Sequence, residues 1–308
     1  VKGELTMKIP TLVPCLWLTQ NARQAAEFYC AHFPESSIRY AARIPVPAAE
    51  AMDVAAFTLA GQPFVAMSAG PFQANPSLSF FVHFDPSRDE HAREHLDALW
   101  EVLCDGGQVL MPLGEQSFSQ RYGWVQDRYG VSWQLILSNP RGEPRPVIVP
   151  CLFFTGPVRG KAEEAGAFYR SVFPGSCPGQ LFRYPAGSAN QSEGMVMYSD
   201  FRLGETWVVA MDGGPDRHFS FNEAISLMIE CETQEEIDFY WERLSAVPEA
   251  EACGWCKDRY GISWQIVPQL IHDVFASGDL ERITRHMKAV LTMKKLDLAA
   301  LQRAVDQA

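Results

Sequence analysis

One segment occurs twice in this chain: Tyr122-Gly-Trp-Val-Gln-Asp-Arg-Tyr-Gly-Val-Ser-Trp-Gln134 and Cys253-Gly-Trp-Cys-Lys-Asp-Arg-Tyr-Gly-Ile-Ser-Trp-Gln265. A string this long and this rich in tryptophan does not recur by chance. The chain is a tandem duplication, and such self-similarity governs the fold before any local pattern does. It also supplies an internal control, because a site proposed in one copy can be checked against the other.

The repeat extends beyond the signature. Pro14-Cys-Leu-Trp-Leu-Thr19 matches Pro150-Cys-Leu-Phe-Phe-Thr155. Each is followed by an Ala-rich helix with an aromatic pair and a Phe-Pro stop, Phe28-Tyr29 to Phe33-Pro34 and Phe168-Tyr169 to Phe173-Pro174. Ala22, Ala25, Tyr29 and Phe33 keep helical spacing, with Asn21 as N-cap. Residues 57–67 and 201–211 each read as two short strands around a tight turn. Ser79-Phe-Phe-Val-His83 and Ser226-Leu-Met-Ile-Glu230 form a further strand. A second helix carries Leu96, Leu99, Trp100 and Leu103, matched by Ile237, Tyr240, Trp241 and Leu244. The signature closes each copy as strand, Asp-Arg-Tyr-Gly turn, strand. Between Leu244 and Gly254 the second copy is shorter, which predicts a reduced or missing strand.

Each copy therefore reads β-α-β-β-β twice over, an α+β fold with cupped mixed sheets. The expected organisation is a first domain at 9–138, a Pro-rich linker at 139–146, a second domain at 147–270 and a helical tail at 271–308. The order and the quoted strings resemble the vicinal-oxygen-chelate superfamily of glyoxalase I and bleomycin-resistance proteins. They are most similar to its PhnB-like branch, often labelled 3-demethylubiquinone-9 3-methyltransferase. Asn222-Glu-Ala-Ile-Ser226 and Cys231-Glu-Thr-Gln-Glu-Glu236 carry that likeness in the second copy.

A length of 308 residues suits two domains. A net charge of −11 argues against a nucleic-acid partner. No apolar run is long enough to cross a membrane, and the eight cysteines are scattered. A reducing, cytoplasmic setting is expected.

The resemblance implies a divalent ion held by His, Gln or Glu side chains in the cup. Aligned to that pattern, the ligand positions fall at Pro14, Ala66, Ser79 and Gln134, and at Pro150, Ala210, Ser226 and Gln265. Proline and alanine offer no side-chain donor, so neither a metal site nor another cofactor is expected. Other motifs carry less. Cys253 and Cys256 lie three apart on a strand and so point to opposite faces, without the helix N-terminus that lowers a thiol pKa. His91 and His95 fall on a polar helix face whose counterparts are Glu232 and Glu236. The Gly70 region and Met211-Asp-Gly-Gly-Pro215 do not open a helix, so no nucleotide-phosphate cradle forms and the methyltransferase label lacks its cofactor unit. Asp127 and Asp258 have turn spacing and are expected to bind backbone amides.

Strand alternation assigns the remaining candidates. Ser79, His83, Trp124 and Gln134 face one cup; Ser226, Glu230, Trp255 and Gln265 face the other, with Leu16 and Leu18 completing an apolar lining. Such a surface suits a small, partly aromatic organic ligand, and no catalytic residue is assigned. The alternatives are core filling, a metal-independent isomerase or lyase using His83 or Glu230, and a glyoxalase- or dioxygenase-type metalloenzyme. Strands of each copy are expected to complete the other's sheet, as an intramolecular pseudo-dimer, with the tail covering a face or mediating further dimerisation.

Overall fold

The computed structural model describes residues 9–19, 21–46, 50–68, 72–139, 144–188 and 192–306. The Gly70 region and linker residues 140–143 lie outside them. The first copy runs β1 (Leu12–Leu18), α1 (Ala22–His32), β2 (Ser37–Ile44), β3 (Met52–Leu59), β4 (Gln62–Ser68), β5 (Leu78–Phe84), α2 (Ala92–Cys104), β6 (Gln108–Gln116), β7 (Ser119–Gln126) and β8 (Ser132–Leu137). The second runs β9 (Ile148–Phe154), α3 (Ala162–Val172), β10 (Cys177–Arg183), β11 (Val196–Leu203), β12 (Thr206–Asp212), β13 (Ile225–Cys231), α4 (Gln234–Leu244), β14 (Trp255–Lys257) and β15 (Ser263–Pro268). The tail forms α5 (Leu270–Ala276), α6 (Leu280–Val290) and α7 (Leu298–Asp306). In place of the long β6–β7 hairpin, the second copy has a 3₁₀ turn at Pro248–Ala250 and the three-residue β14.

Neither copy closes its own sheet. A seven-stranded sheet has the order β14-β15-β13-β1-β4-β3-β2, and an eight-stranded sheet the order β10-β11-β12-β9-β5-β8-β7-β6. The joints are antiparallel pairs between copies, β1 with β13 and β9 with β5. Reciprocal side-chain bonds reinforce them: Asn75 Nδ2 donates to the Ser220 carbonyl and Asn222 Nδ2 to the Gln73 carbonyl, both at 2.9 Å. Among the described residues no helix is long and apolar enough to cross a membrane.

The faces that pack on α1–α4 share one continuous core containing Tyr29, Trp133, Tyr169 and Trp264. The opposite faces form two separate apolar clusters, one per sheet. That of the seven-stranded sheet is filled by the tail: Val274, Phe275, Ile283, Met287, Val290, Leu301 and Val305 pack on Val13, Cys15, Val65, Met67 and Met228. Asp279 caps α6 through the amides of Glu281 and Arg282, and the amides of Cys253 and Gly254 bind the carbonyls of Met293 and Lys294.

The signature is a joint between turn and helix. Asp127 Oδ1 accepts from the amides of Tyr129 and Val131, while Oδ2 accepts from Tyr29 Oη at 2.7 Å and Trp133 Nε1 at 2.8 Å. Asp258 repeats this with Tyr260, Ile262, Tyr169 and Trp264. Gly130 and Gly261 take φ of +84° and +87° to close the turn. The expected Asp-to-amide bonds are present, and the same carboxylates also bind the Phe-Tyr helices to the signature tryptophans.

Candidate functional site

Alternation places the predicted side chains as expected on six strands. Ser79, Phe81 and His83 leave β5 away from the helices, as do Trp124 on β7, Gln134 on β8, Ser226 and Glu230 on β13, Trp255 on β14 and Gln265 on β15. On β1 and β9 the reading was one residue out of register. Leu16, Leu18 and Leu152 pack on the helices, whereas Val13, Cys15, Trp17, Cys151 and Phe153 face the cups. Ala66 and Ala210 are likewise on the helix side, with Val65 and Val209 in the cups. These strands are apolar on both faces, so no alternation marks which set faces the cup.

The correction changes the centre of each cup. Cys151 lies opposite Ser79, and Gln134 Nε2 donates to Ser79 Oγ at 2.8 Å while Gln134 Oε1 accepts from Tyr122 Oη at 2.6 Å. Cys15 lies opposite Ser226, and Gln265 Nε2 donates to Ser226 Oγ at 2.9 Å. Each thiol contacts the Ser and Gln beside it, yet burial pushes both Cys15 and Cys151 up to about 12. Both therefore stay protonated and non-nucleophilic at neutral pH. The two cysteines were the only pair at equivalent repeat positions, and that equivalence was the signal that could have found them.

A divalent ion does not fit these centres. The donors are a protonated thiol, a hydroxyl and an amide already bonded to one another, without imidazole or carboxylate. Among the described residues no three His, Cys, Asp or Glu side chains converge as a metal-holding group. His91 and His95 stand exposed, the first at the N-cap of α2 and the second in its first turn, with His95 Nδ1 2.7 Å from Asp89. Cys256 enters the helix-side core while Cys253 packs toward the tail.

The cups differ in what covers them. In the seven-stranded sheet, His272 of α5 is buried between Glu230 Oε1 (2.7 Å from Nε2) and Tyr40 Oη (2.8 Å from Nδ1). Trp17 and Trp255 pack with ring centroids 5.1 Å apart and planes tilted by 52°, and Lys257 pairs with Glu223 at 2.6 Å. In the eight-stranded sheet no described helix occupies the concave face. Phe81, Trp124 and Phe153 line its floor, and Met111, Ile136, Tyr198, Trp207, Met211 and Phe219 around them are partly exposed. Arg145 lies 3.9 Å above the Trp207 ring and bonds Asp200 at 2.9 Å. His83 Nδ1 is 3.2 Å from Ser138 Oγ. His83 Nε2 and Trp124 Nε1 are shielded from solvent and have no hydrogen-bond partner among the described residues.

Burial, aided by Arg145, pulls His83 down to about 4, and burial also pulls His286 of α6 down to about 4. Between pH 6.5 and 4 the unfolded chain takes up protons at these imidazoles that the folded chain refuses, so stability is whole above pH 6.5 and falls with pH through that window. The expected loss is on the order of 2–3 kcal/mol per ring. Urea titrations at pH 7.5 and 5 measure it, and His286→Phe, placed against Phe275, should flatten the dependence. An unchanged slope in that variant contradicts the assignment.

A family profile described as 3-demethylubiquinone-9 3-methyltransferase matches residues 10–136 and again 146–267. No curated protein matches the chain. A solved Bacillus cereus protein described as a putative 3-demethylubiquinone-9 3-methyltransferase, PhnB protein, is 34% identical over 41% of this chain and 98% of its own (TM-score 0.37). Glyoxalase I from Zea mays is 12% identical over 89% of this chain and 96% of its own, with a TM-score of 0.51, a likeness of fold alone.

Proposed function

The chain belongs to the 3-demethylubiquinone-9 3-methyltransferase family, within the vicinal-oxygen-chelate fold, and from that premise we propose that it binds a small, partly aromatic organic molecule in the eight-stranded cup, without a metal. The observation that carries this reading is the asymmetry of two otherwise equivalent cups. One is filled by the chain's own tail; the other has an aromatic, partly exposed face on which no described helix packs. Apolar walls with a few convergent polar groups are the usual composition of a small-molecule site. Ser79, Gln134, Trp124 and His83 belong to this site, whereas in the other cup Glu230 bonds His272 of the tail, Trp255 packs in the cluster the tail fills, and Ser226 and Gln265 bond one another beside Cys15.

The activity in the family's description is not carried over. No described strand passes through a Gly-x-Gly turn into a helix, the unit that would cradle a nucleotide-type cofactor. A metal-independent isomerase or lyase is the second reading, favoured by the shielded Nε2 of His83 in the cup. An imidazole held near 4 is a weak proton acceptor at neutral pH, so binding is preferred to catalysis.

A thermal-shift screen of neutral aromatic compounds, on protein stripped with chelator, tests the proposal. A binder should raise the melting temperature by several degrees, and Trp207→Ala should remove the effect. Stabilisation that survives Trp207→Ala, or stoichiometric metal in protein purified without an affinity metal, would count against it.

A further inference from the structure

We propose that the eight-stranded cup selects a planar, non-cationic aromatic molecule bearing a hydrogen-bond acceptor, which the Trp124 indole N–H binds. The inference deepens the ligand-binding reading and rests on it. Trp124 is 6% exposed, faces the cup, and packs edge-on against Phe153 with ring centroids 5.5 Å apart. Its Nε1 has no partner among the described residues. An indole nitrogen is a donor only, so what satisfies it must be an acceptor, and a buried polar group without a partner is costly enough to favour one.

Three charged side chains lie on this face: Arg145, Asp200 and, opposite Trp207, Arg202, whose Nε is shielded and has no hydrogen-bond partner among the described residues. Arg145 and Asp200 pair at 2.9 Å with little side-chain exposure, 9% and 2%, and so neutralise one another. His83 is held neutral by its surroundings. A cationic ligand would be desolvated here without a counter-ion. Aromatic rings supply the apolar contact: the edge-on Trp124–Phe153 pair on the floor, and Trp207 beneath Arg145 around it. The same ring positions recur in the other cup as Trp255 and Trp17, both partly exposed beside the tail, and Trp17 Nε1 likewise has no partner among the described residues.

Two probes of matched shape test this, 2-acetylnaphthalene with a carbonyl acceptor and 2-ethylnaphthalene without one. Affinities are read by quenching of intrinsic fluorescence. The full-length chain should bind the ketone about tenfold more tightly, the worth of one net hydrogen bond. Trp124→Phe should erase that preference and leave the hydrocarbon affinity within about twofold. Trp17→Phe, in the other cup, should change neither. Equal binding of both probes by the unaltered chain, or a preference that survives Trp124→Phe, overturns the acceptor assignment while leaving the cup as a binding site. If neither probe binds, or if Trp207→Ala leaves binding intact, the ligand-binding reading itself falls. Should Trp124→Phe fail to fold, the Trp124 indole N–H resonance of the unaltered chain decides. It should move downfield with the ketone and not with the hydrocarbon, and its failure to move refutes the proposal.

Discussion

Asp127→Ala should destabilise the protein by about 4 kcal/mol, and Asp258→Ala by a similar amount. Each carboxylate receives four donors in the core: a tyrosine hydroxyl, a tryptophan N–H and two amides of its own turn. Burial raises both carboxyl pKa values and these bonds oppose the rise. Alanine strands all four donors, whereas Asn keeps an acceptor and should cost roughly half as much. Urea unfolding of both pairs of variants measures the difference. A loss below about 1 kcal/mol for either alanine variant would show that the turn is not the joint described above. Because the two sites sit in one continuous core, damage in one copy should lower the stability of the whole molecule.

Removing the tail after Gln269 should have the largest effect. Val274, Phe275, Ile283, Met287, Val290, Leu296, Leu301 and Val305 are all under 9% exposed. At about 1.5–3 kcal/mol for each of these eight side chains, their burial is worth roughly 12–24 kcal/mol as an upper estimate. That is comparable with the whole stability of an ordinary domain. Deletion should therefore yield protein that aggregates or binds anilinonaphthalene sulfonate strongly, and Ile283→Ala alone should cost about 2–5 kcal/mol. A shortened chain that melts within a few degrees of the full one would mean the tail merely lies on the sheet. The His272 bridge to Glu230 and Tyr40 contributes direction more than strength, since it sets which face of α5 turns inward.

These sites show what can be read before folding. Asp127 announced itself through turn spacing and repetition, because a local turn needs only neighbouring residues. Its bonds to Tyr29 and Trp133 were not legible, although all three positions repeat, because nothing local states that a helix residue 98 positions away reaches the same carboxylate. Trp124, Gln134, Ser79 and His83 were assigned to one face because their strands alternate polar with apolar. Cys15 and Cys151 were missed because β1 and β9 are apolar on both sides.

By itself the sequence determined the duplication, the α+β order of elements, the shortened strand region of the second copy and the helical tail. All of these rest on local periodicity or on comparison of the chain with itself. Only the tertiary structure decided the β1 and β9 register, which strands join the two copies (β1 with β13 and β9 with β5), and the burial of one cup beneath the tail. Two near-identical modules offer each strand edge equivalent partners, so pattern cannot choose between pairings. The choice lies in long-range packing, and the same packing leaves one aromatic face open while closing its twin.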